Sequence, residues 1–98
     1  MKKLSVLFVF AAISAMAAEW TGYIVDKSCA SKKDMWGNEA CAKRCIKRGD
    51  PAVFVTESDG KIYQVAEQDK VMDVAGKKVT LTGTLKGDTI SVESVKAE

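Results

Sequence analysis

Three cysteines, Cys29, Cys41 and Cys45, carry the most evident chemistry in this chain of 98 residues, which contains no histidine. Cysteine sulfur forms disulfides, binds soft metal ions and, as a thiolate, attacks electrophiles. An odd number of thiols leaves at least one of them outside any disulfide within the chain. The absence of histidine excludes Ser–His and Cys–His catalytic pairs, so we do not expect a base-activated hydrolase. A non-enzymatic protein is the leading expectation.

A structural disulfide is the leading interpretation of these cysteines. Cys41 and Cys45 are four residues apart on a predicted helix, which separates their Cβ atoms by about 5–6 Å. A disulfide needs Cβ atoms about 3.8 Å apart, so Cys29 is the natural partner of one of the two helix cysteines. The sequence leaves open which one. The bridge would close a loop of about a dozen to sixteen residues and contribute roughly 3 kcal/mol to stability in the chain-entropy model.

The alternative interpretation is a metal- or thiol-handling protein. Cys29, Cys41 and Cys45 can supply three thiolates, and Asp26 is close enough in sequence to complete the shell. Three sulfur ligands suit Zn(II) or Cu(I). The C-x3-C spacing is less specific than the C-x2-C pair of zinc ribbons and thioredoxin-like motifs. A further alternative for the remaining thiol is an intermolecular bridge, which would give a disulfide-linked dimer.

The first 17 residues have the features of a secretory signal peptide. Lys2 and Lys3 precede an apolar stretch at residues 4–13, and Ala15-Met16-Ala17 is a small–x–small cleavage pattern. The apolar stretch is about half the roughly 20 residues that a bilayer span needs. We therefore expect residues 1–17 to be removed and residues 18–98 to form one domain without a transmembrane segment. Export to the periplasm or the medium would place the cysteines in an oxidising compartment.

The charge of the predicted mature chain argues against nucleic acid as a partner. The formal net charge of +2 falls to zero when Lys2 and Lys3 are removed. Binding to a phosphate backbone requires many basic contacts, which a neutral domain of this size does not provide. Basic residues are nevertheless concentrated in the cysteine segment, at residues 27–48, where they favour a solvated helix face.

The hydrophobic pattern predicts a mainly β domain with two short helical segments. Strands are predicted at residues 20–25, 52–57, 61–65, 78–85 and 89–95. A helix is predicted between the N-cap Asn38 and Gly49, and a short helix or helical turn at residues 66–75. This order predicts a small five-stranded OB-like barrel with the cysteine-bearing helix inserted between strands 1 and 2. A small open α+β sheet is the alternative.

Among the aromatic residues, Trp36 is the candidate for a ligand contact. It lies in a polar segment between the first strand and the helix, whereas Trp20 and Phe54 lie in strands and are expected in the core. An exposed indole provides a flat apolar surface on which a ligand can stack. The pattern does not identify the ligand, and both a small molecule and an envelope protein fit it.

The motifs also resemble those of a known group of sequences. The segments Asp26-Lys27-Ser28-Cys29, Cys41-Ala42-Lys43-Arg44-Cys45 and Gly76-Lys77-Lys78-Val79-Thr80-Leu81-Thr82-Gly83 contain the patterns D-x-x-C, C-A-x-x-C and G-K-x-V-T-x-x-G. In this respect the chain resembles an uncharacterised family of small exported bacterial proteins. The resemblance covers nearly all of residues 18–98. It implies an OB-like sheet and a shared cysteine framework, and it implies no activity.

The sequence therefore predicts a small exported binding module that is stabilised by a disulfide and binds an unknown ligand. The alternative is a protein that handles Zn(II), Cu(I) or thiols through the same three cysteines. The two interpretations differ in whether Cys29, Cys41 and Cys45 form a disulfide or bind a metal ion.

Overall fold

The computed structural model describes residues 17–98, so the predicted signal peptide lies outside the described residues apart from Ala17. The strands in this range are β1 (Ala18–Asp26), β2 (Ala52–Thr56), β3 (Ile62–Val65), β4 (Lys78–Lys86) and β5 (Thr89–Ala97). The α-helices in the same range are α1 (Glu39–Lys47) and α2 (Gln68–Val71). The 3-10 turns are Lys27–Cys29, Lys33–Met35 and Met72–Val74. Neither helix has the length and apolar character needed to cross a membrane.

The five strands form one mixed sheet that closes into a ring in the order β1-β2-β3-β5-β4. β1 pairs antiparallel with both β2 and β4, and β3 pairs in parallel with β5 to close the ring. The prediction of a small β-rich domain is confirmed. β1 is longer than predicted because its first half pairs with β4 and its second half with β2.

The helical segments differ in detail from the sequence prediction. The connection between β1 and β2 contains two unpredicted 3-10 turns before α1, and α2 is a single turn that continues into the 3-10 turn Met72–Val74. The chain leaves helical geometry at Ala75 because this residue forms a parallel bridge with Ile24 of β1. The backbone N–H of Gly76 also donates to the Ile24 carbonyl. These bonds tie the end of the segment to the ring.

The interior of the ring is filled by large apolar side chains. Ile24, Phe54, Leu81 and Ile90 have no exposed surface. They come from four different strands and belong to one cluster, which also receives Val71 from α2. Burying each such side chain contributes about 1.5–3 kcal/mol, so this cluster is the main source of stability.

A second hydrophobic cluster lies on the other face of β1 and β2. Val25, Val53 and Val55 are covered there by Ala30 and Trp36 from the connection that follows β1. The Trp36 indole N–H donates to the Ala30 carbonyl at 2.8 Å. Because of this cluster, every residue of β2 is buried.

This packing overturns the expectation that Trp36 is presented to a ligand. Its side chain is 8 % exposed, and its ring lies 5.8 Å from the ring of Tyr23. The polar sequence around it suggested an exposed position, but the outer face of β2 requires an apolar cover and Trp36 supplies it. The prediction of Trp36 as a contact residue thereby loses its basis.

Helix α1 begins and ends where the sequence predicts. The Asn38 side chain accepts a hydrogen bond from the Cys41 N–H at 3.0 Å, which caps the first turn. Gly49 follows the helix with a φ of 112°, a conformation that glycine adopts most readily. Ala42 and Ile46, one turn apart, are buried against the ring, so α1 packs along one narrow face.

The contact between Gly76 and the start of α1 leads to a first prediction. A Cβ at Gly76, which has a φ of 79°, would overlap the backbone of Glu39. We expect Gly76→Ala to lower the free energy of unfolding by about 3 kcal/mol in urea denaturation, because steric overlap adds to backbone strain. The matched control is Gly87→Ala, which has a φ of 64° and no atom within 4 Å, and should cost only about 1 kcal/mol. Equal losses in the two variants would contradict the close contact.

Candidate thiol site

Two turns of the chain bring the cysteines together at one end of the ring. β1 ends at Asp26, which pairs with Ala52 at the beginning of β2. The Lys27 N–H then donates to the Pro51 carbonyl at 3.0 Å, so the 3-10 turn that contains Cys29 lies beside the segment leaving α1. Antiparallel pairing therefore places the residues after β1 next to those that precede β2, although they are far apart in sequence.

Asp26, Cys29, Cys41 and Cys45 lie together at this end of the ring, in a region called the thiol corner below. Asp26 is the buried polar group of the thiol corner. It is 1 % exposed, and its Oδ2 atom has no hydrogen-bond partner among the described residues. Burial of a carboxylate oxygen without a partner is unfavourable by several kcal/mol, and such orphaned atoms are rare in native proteins. The Oδ2 atom is therefore free to accept a hydrogen bond or to bind a positive group.

Cys29 lies directly beside this carboxylate. Burial raises the pKa of its thiol to about 11, and the hydrogen bond with Asp26 and the negative charge of Asp26 act in the same direction. Contact with Cys41 raises it further. Cys29 is therefore a protonated thiol at neutral pH when nothing else is bound, which makes it a poor nucleophile.

Cys45 is held in a similar environment on α1. Burial raises the pKa of its thiol, as do the charge of Asp26 and the contact with Cys41, whereas the positive charge of Arg48 lowers it. The Arg48 Nη2 atom lies 3.9 Å from the Cys45 sulfur. Because Cys41 contacts both Cys29 and Cys45, it is the central thiol of the three.

Asp50 adds a second carboxylate at the edge of the corner. The Ser28 hydroxyl and the Ser28 N–H both donate to its Oδ2 atom, at 2.6 and 3.1 Å. These hydrogen bonds lower the pKa of Asp50, burial opposes them, and contact with Asp26 and the charge of Lys27 lower it further. Asp50 therefore fixes the turn after β1 against the segment that leaves α1.

An open depression of about 450 Å³ lies in front of the corner. It is lined by Ser28, Cys45, Arg48, Gly49 and Asp50. Cys45 is the one cysteine of the described chain in this lining.

The structure brings the sequence-named residues Asp26, Cys29, Cys41 and Cys45 near one another. Three further residues of this region were missed. Ser28, Arg48 and Asp50 were not singled out as site residues. The Gly49-Asp50-Pro51 turn hints at a chain reversal after the helix, but only the pairing of β1 with β2 places it beside residue 28.

All three described cysteines are free thiols. Within residues 17–98, no three Cys, Asp or Glu side chains stand at the spacing of ligands around a metal ion. Either a disulfide or a metal ion requires the thiols to lose protons and draw closer together.

No protein-family model, curated protein or solved structure matches the chain.

The environment of Cys29 leads to a second prediction, on the reduced and metal-free protein. At pH 8 we expect iodoacetamide to alkylate Cys29 roughly a hundredfold more slowly than an unperturbed cysteine, because a pKa of about 11 leaves very little thiolate. The rate should rise with pH up to about 11. Asp26→Asn should accelerate the reaction at pH 8, since it removes a negative charge. Mass spectrometry of the labelled peptide measures the rate, with urea-unfolded protein as the control. Equal rates in folded and unfolded protein would contradict the assignment.

Proposed function

We propose that this chain is an exported, OB-like binding domain that holds a soft metal ion between Cys29, Cys41, Cys45 and Asp26. The observation that carries the proposal is the buried Asp26 carboxylate, whose Oδ2 atom lacks a partner among the described residues and which interacts with Cys29 and Cys45. Export rests on the signal-peptide pattern at residues 1–17, which predicts a mature domain of residues 18–98.

The order of the strands supports the OB-like description. A five-stranded ring closed by a parallel pair between β3 and β5, with β1 shared between β2 and β4, has the connectivity of an OB-type barrel. Ligands of OB domains contact the connection between the first and second strands. In this chain that connection carries all three cysteines. The fold alone does not identify a ligand, which is why the thiols decide the class.

The balance of charge supports a cation. Four acidic groups, the Asp26 carboxyl and three thiols, are gathered together, and the charge of Asp26 raises the pKa of both Cys29 and Cys45. In the absence of an ion the Cys29 thiol therefore keeps its proton at neutral pH. A bound cation reverses this preference, because it stabilises thiolates and offers the missing partner to the carboxylate oxygen.

The donor set favours Zn(II) or Cu(I). Three thiolates and one carboxylate oxygen match the four-coordinate tetrahedral shell of Zn(II). Cu(I) is selected by the three sulfurs alone, because a carboxylate oxygen is a poor ligand for a soft ion. The role of Asp26 therefore distinguishes the two ions. Cys41 lies between the other two thiols, so it is the ligand on which both sites depend.

The third prediction tests metal binding directly. The reduced protein should bind one equivalent of Zn(II) in native mass spectrometry, and Cys41→Ala should abolish this uptake. Asp26→Asn should weaken Zn(II) binding by at least about tenfold and leave Cu(I) binding nearly unchanged. The control is Asp34→Asn, which alters an exposed carboxylate of the same connection. Unchanged metal content in Cys41→Ala, or no uptake by the reduced wild type, would remove the proposal.

A second candidate is the disulfide-stapled binding module, which the contact between Cys29 and Cys41 favours. Cys41 and Cys45 lie on the same helix, where the separation of their Cβ atoms disfavours a bond. A bridge between Cys29 and Cys41 would join the end of β1 to the first turn of α1. The third thiol, Cys45, would then remain at the open depression.

The fourth prediction tests this pairing in the oxidised, metal-free protein. Cys29→Ser and Cys41→Ser should each lower the melting temperature by about 10 °C or more, because the bridge contributes roughly 3 kcal/mol to a small domain. Cys45→Ser, the matched control, should melt within about 2 °C of the wild type. An intact mass two hydrogens below that of the reduced monomer would identify the bridge. A loss of stability in Cys45→Ser as large as in Cys29→Ser would contradict this connectivity, and a mass of twice the monomer would indicate an intermolecular bridge.

A further inference from the structure

Three basic side chains of α1 lie together on the part of the helix that the ring does not cover. Ala42 and Ile46 are the buried residues of α1, whereas Lys43, Arg44 and Lys47 are exposed. Because successive residues are about 100° apart around a helix, these three side chains occupy one continuous arc outside the buried strip. Lys43, Arg44 and Lys47 are called the basic face below.

The basic face has little negative charge beside it. Residues 40–49 contain no Asp or Glu. The Lys43 Nζ atom lies 4.0 Å from the Glu39 carboxylate, but both side chains are about half exposed, and ion pairs of this kind contribute little. Among the described residues, no carboxylate lies within 4.0 Å of the charged groups of Arg44 and Lys47. The basic face therefore presents largely uncompensated positive charge to solvent.

Arg48 follows the helix but does not belong to the basic face. It lines the open depression together with Asp50. The hydrogen bonds from Ser28 lower the pKa of Asp50, so this carboxyl is ionised at neutral pH. The two opposite charges in that lining give no preference for an anion.

An apolar groove of about 320 Å³ borders the basic face, between α1 and the 3-10 turn Met72–Val74. Its lining consists of Lys43, Ile46, Lys47, Met72, Asp73 and Ala75. Met72 is 42 % exposed, which is unusual for a large apolar side chain in this domain. Asp73 is the one acidic residue of the lining and faces two lysines there. An accessible apolar side chain thus lies next to positive charge.

The charge of the whole domain is divided unequally along the chain. Residues 27–48 carry seven basic and two acidic side chains, whereas residues 49–98 carry six basic and nine acidic ones. An asymmetric charge distribution of this kind orients a protein in the field of a charged surface, even when its net charge is close to zero. An anionic surface would therefore attract the segment that contains α1.

We infer that the basic face and the groove beside it form a docking surface for an anionic lipid bilayer. Lysine and arginine side chains are long enough to reach lipid phosphates, and a planar bilayer requires no recess over the basic face. Met72 would enter the boundary between headgroups and acyl chains. The inference goes beyond the proposed metal site and does not involve the thiols. Of the proposed function it uses export alone, which would bring the domain to membrane surfaces.

The test measures how the exported protein partitions onto lipid vesicles in a sedimentation assay, with EDTA present so that no metal ion contributes. One set of vesicles is phosphatidylcholine alone, and the other contains about 30 % phosphatidylglycerol. At low ionic strength we expect the partition coefficient to be about a hundredfold higher on the anionic vesicles, because each of three basic residues contributes about fivefold. Salt at about 0.5 M should remove most of this preference.

Paired lysine variants assign the preference to the basic face. Lys43→Gln combined with Lys47→Gln should lower the partition coefficient on anionic vesicles about twentyfold, since two contributions are lost. The matched control is Lys86→Gln combined with Lys96→Gln, which removes the same charge from exposed lysines of β4 and β5. The control should change the coefficient by no more than about twofold. Melting temperatures, measured first, establish that each variant is folded.

A second pair of variants tests the apolar part of the docking surface. Met72→Ser should lower the partition coefficient on anionic vesicles about threefold, because an apolar contact with the bilayer is lost. Ile62, on β3, is exposed to a similar extent at 40 %, so Ile62→Ser is the matched control and should leave the coefficient unchanged.

The outcomes separate this inference from the proposed function. Equal partitioning onto the two kinds of vesicle would overturn it, as would equal losses in the two double-lysine variants. Binding to soluble polyglutamate without any preference for anionic vesicles would also overturn it, because the partner would then be an acidic polypeptide. If the purified protein retains residues 1–17, the predicted export fails, but the comparison of variants still decides the docking surface because all of them share those residues. Absence of Zn(II) uptake removes the metal proposal and leaves this inference standing.

Discussion

The burial of β2 on both faces is the constraint on which the rest of the structure depends. Its inner face packs into the ring, and its outer face, at Val53 and Val55, has to be covered by residues outside the sheet. The connection after β1 folds back to provide that cover through Ala30 and Trp36. This fold-back determines where Cys29 lies, because Cys29 directly precedes Ala30. The position of the first thiol is thus a consequence of hydrophobic packing.

Features set by neighbouring residues were predictable from the sequence, whereas features set by strand pairing were not. Asn38 and Gly49 mark the ends of α1 because capping and termination are local effects. The burial of Trp36 and the position of Asp50 depend on partners about twenty residues away in the chain. The sequence named the four residues of the thiol corner by their chemistry. It did not indicate that Asp26 is buried without a partner, since that requires knowledge of the whole surroundings.

The two proposed uses of the thiols exclude each other because a disulfide consumes two of the three sulfurs that the metal shell needs. A bond between Cys29 and Cys41 would leave one sulfur and one carboxylate oxygen, which are too few ligands for a structural zinc shell. A metal ion held by all three sulfurs would in turn protect Cys41 from oxidation. In an oxidising compartment the outcome therefore depends on whether the metal reaches the thiols before an oxidant does. The high pKa of Cys29 slows both reactions, since each begins from a thiolate.

The free energy of unfolding alone does not distinguish the disulfide-bonded protein from the metal-bound protein. A domain of residues 18–98 has a small core, and both a disulfide and a metal ion would link the end of β1 to α1 and stabilise it. Asp26 does distinguish them. A disulfide consumes two sulfurs and leaves the buried Oδ2 atom without a partner, so the unfavourable burial of the carboxylate persists. A cation held between the thiolates and the carboxylate, as proposed, would supply the missing partner. The unpartnered Oδ2 atom is therefore the observation that favours the metal proposal over the disulfide.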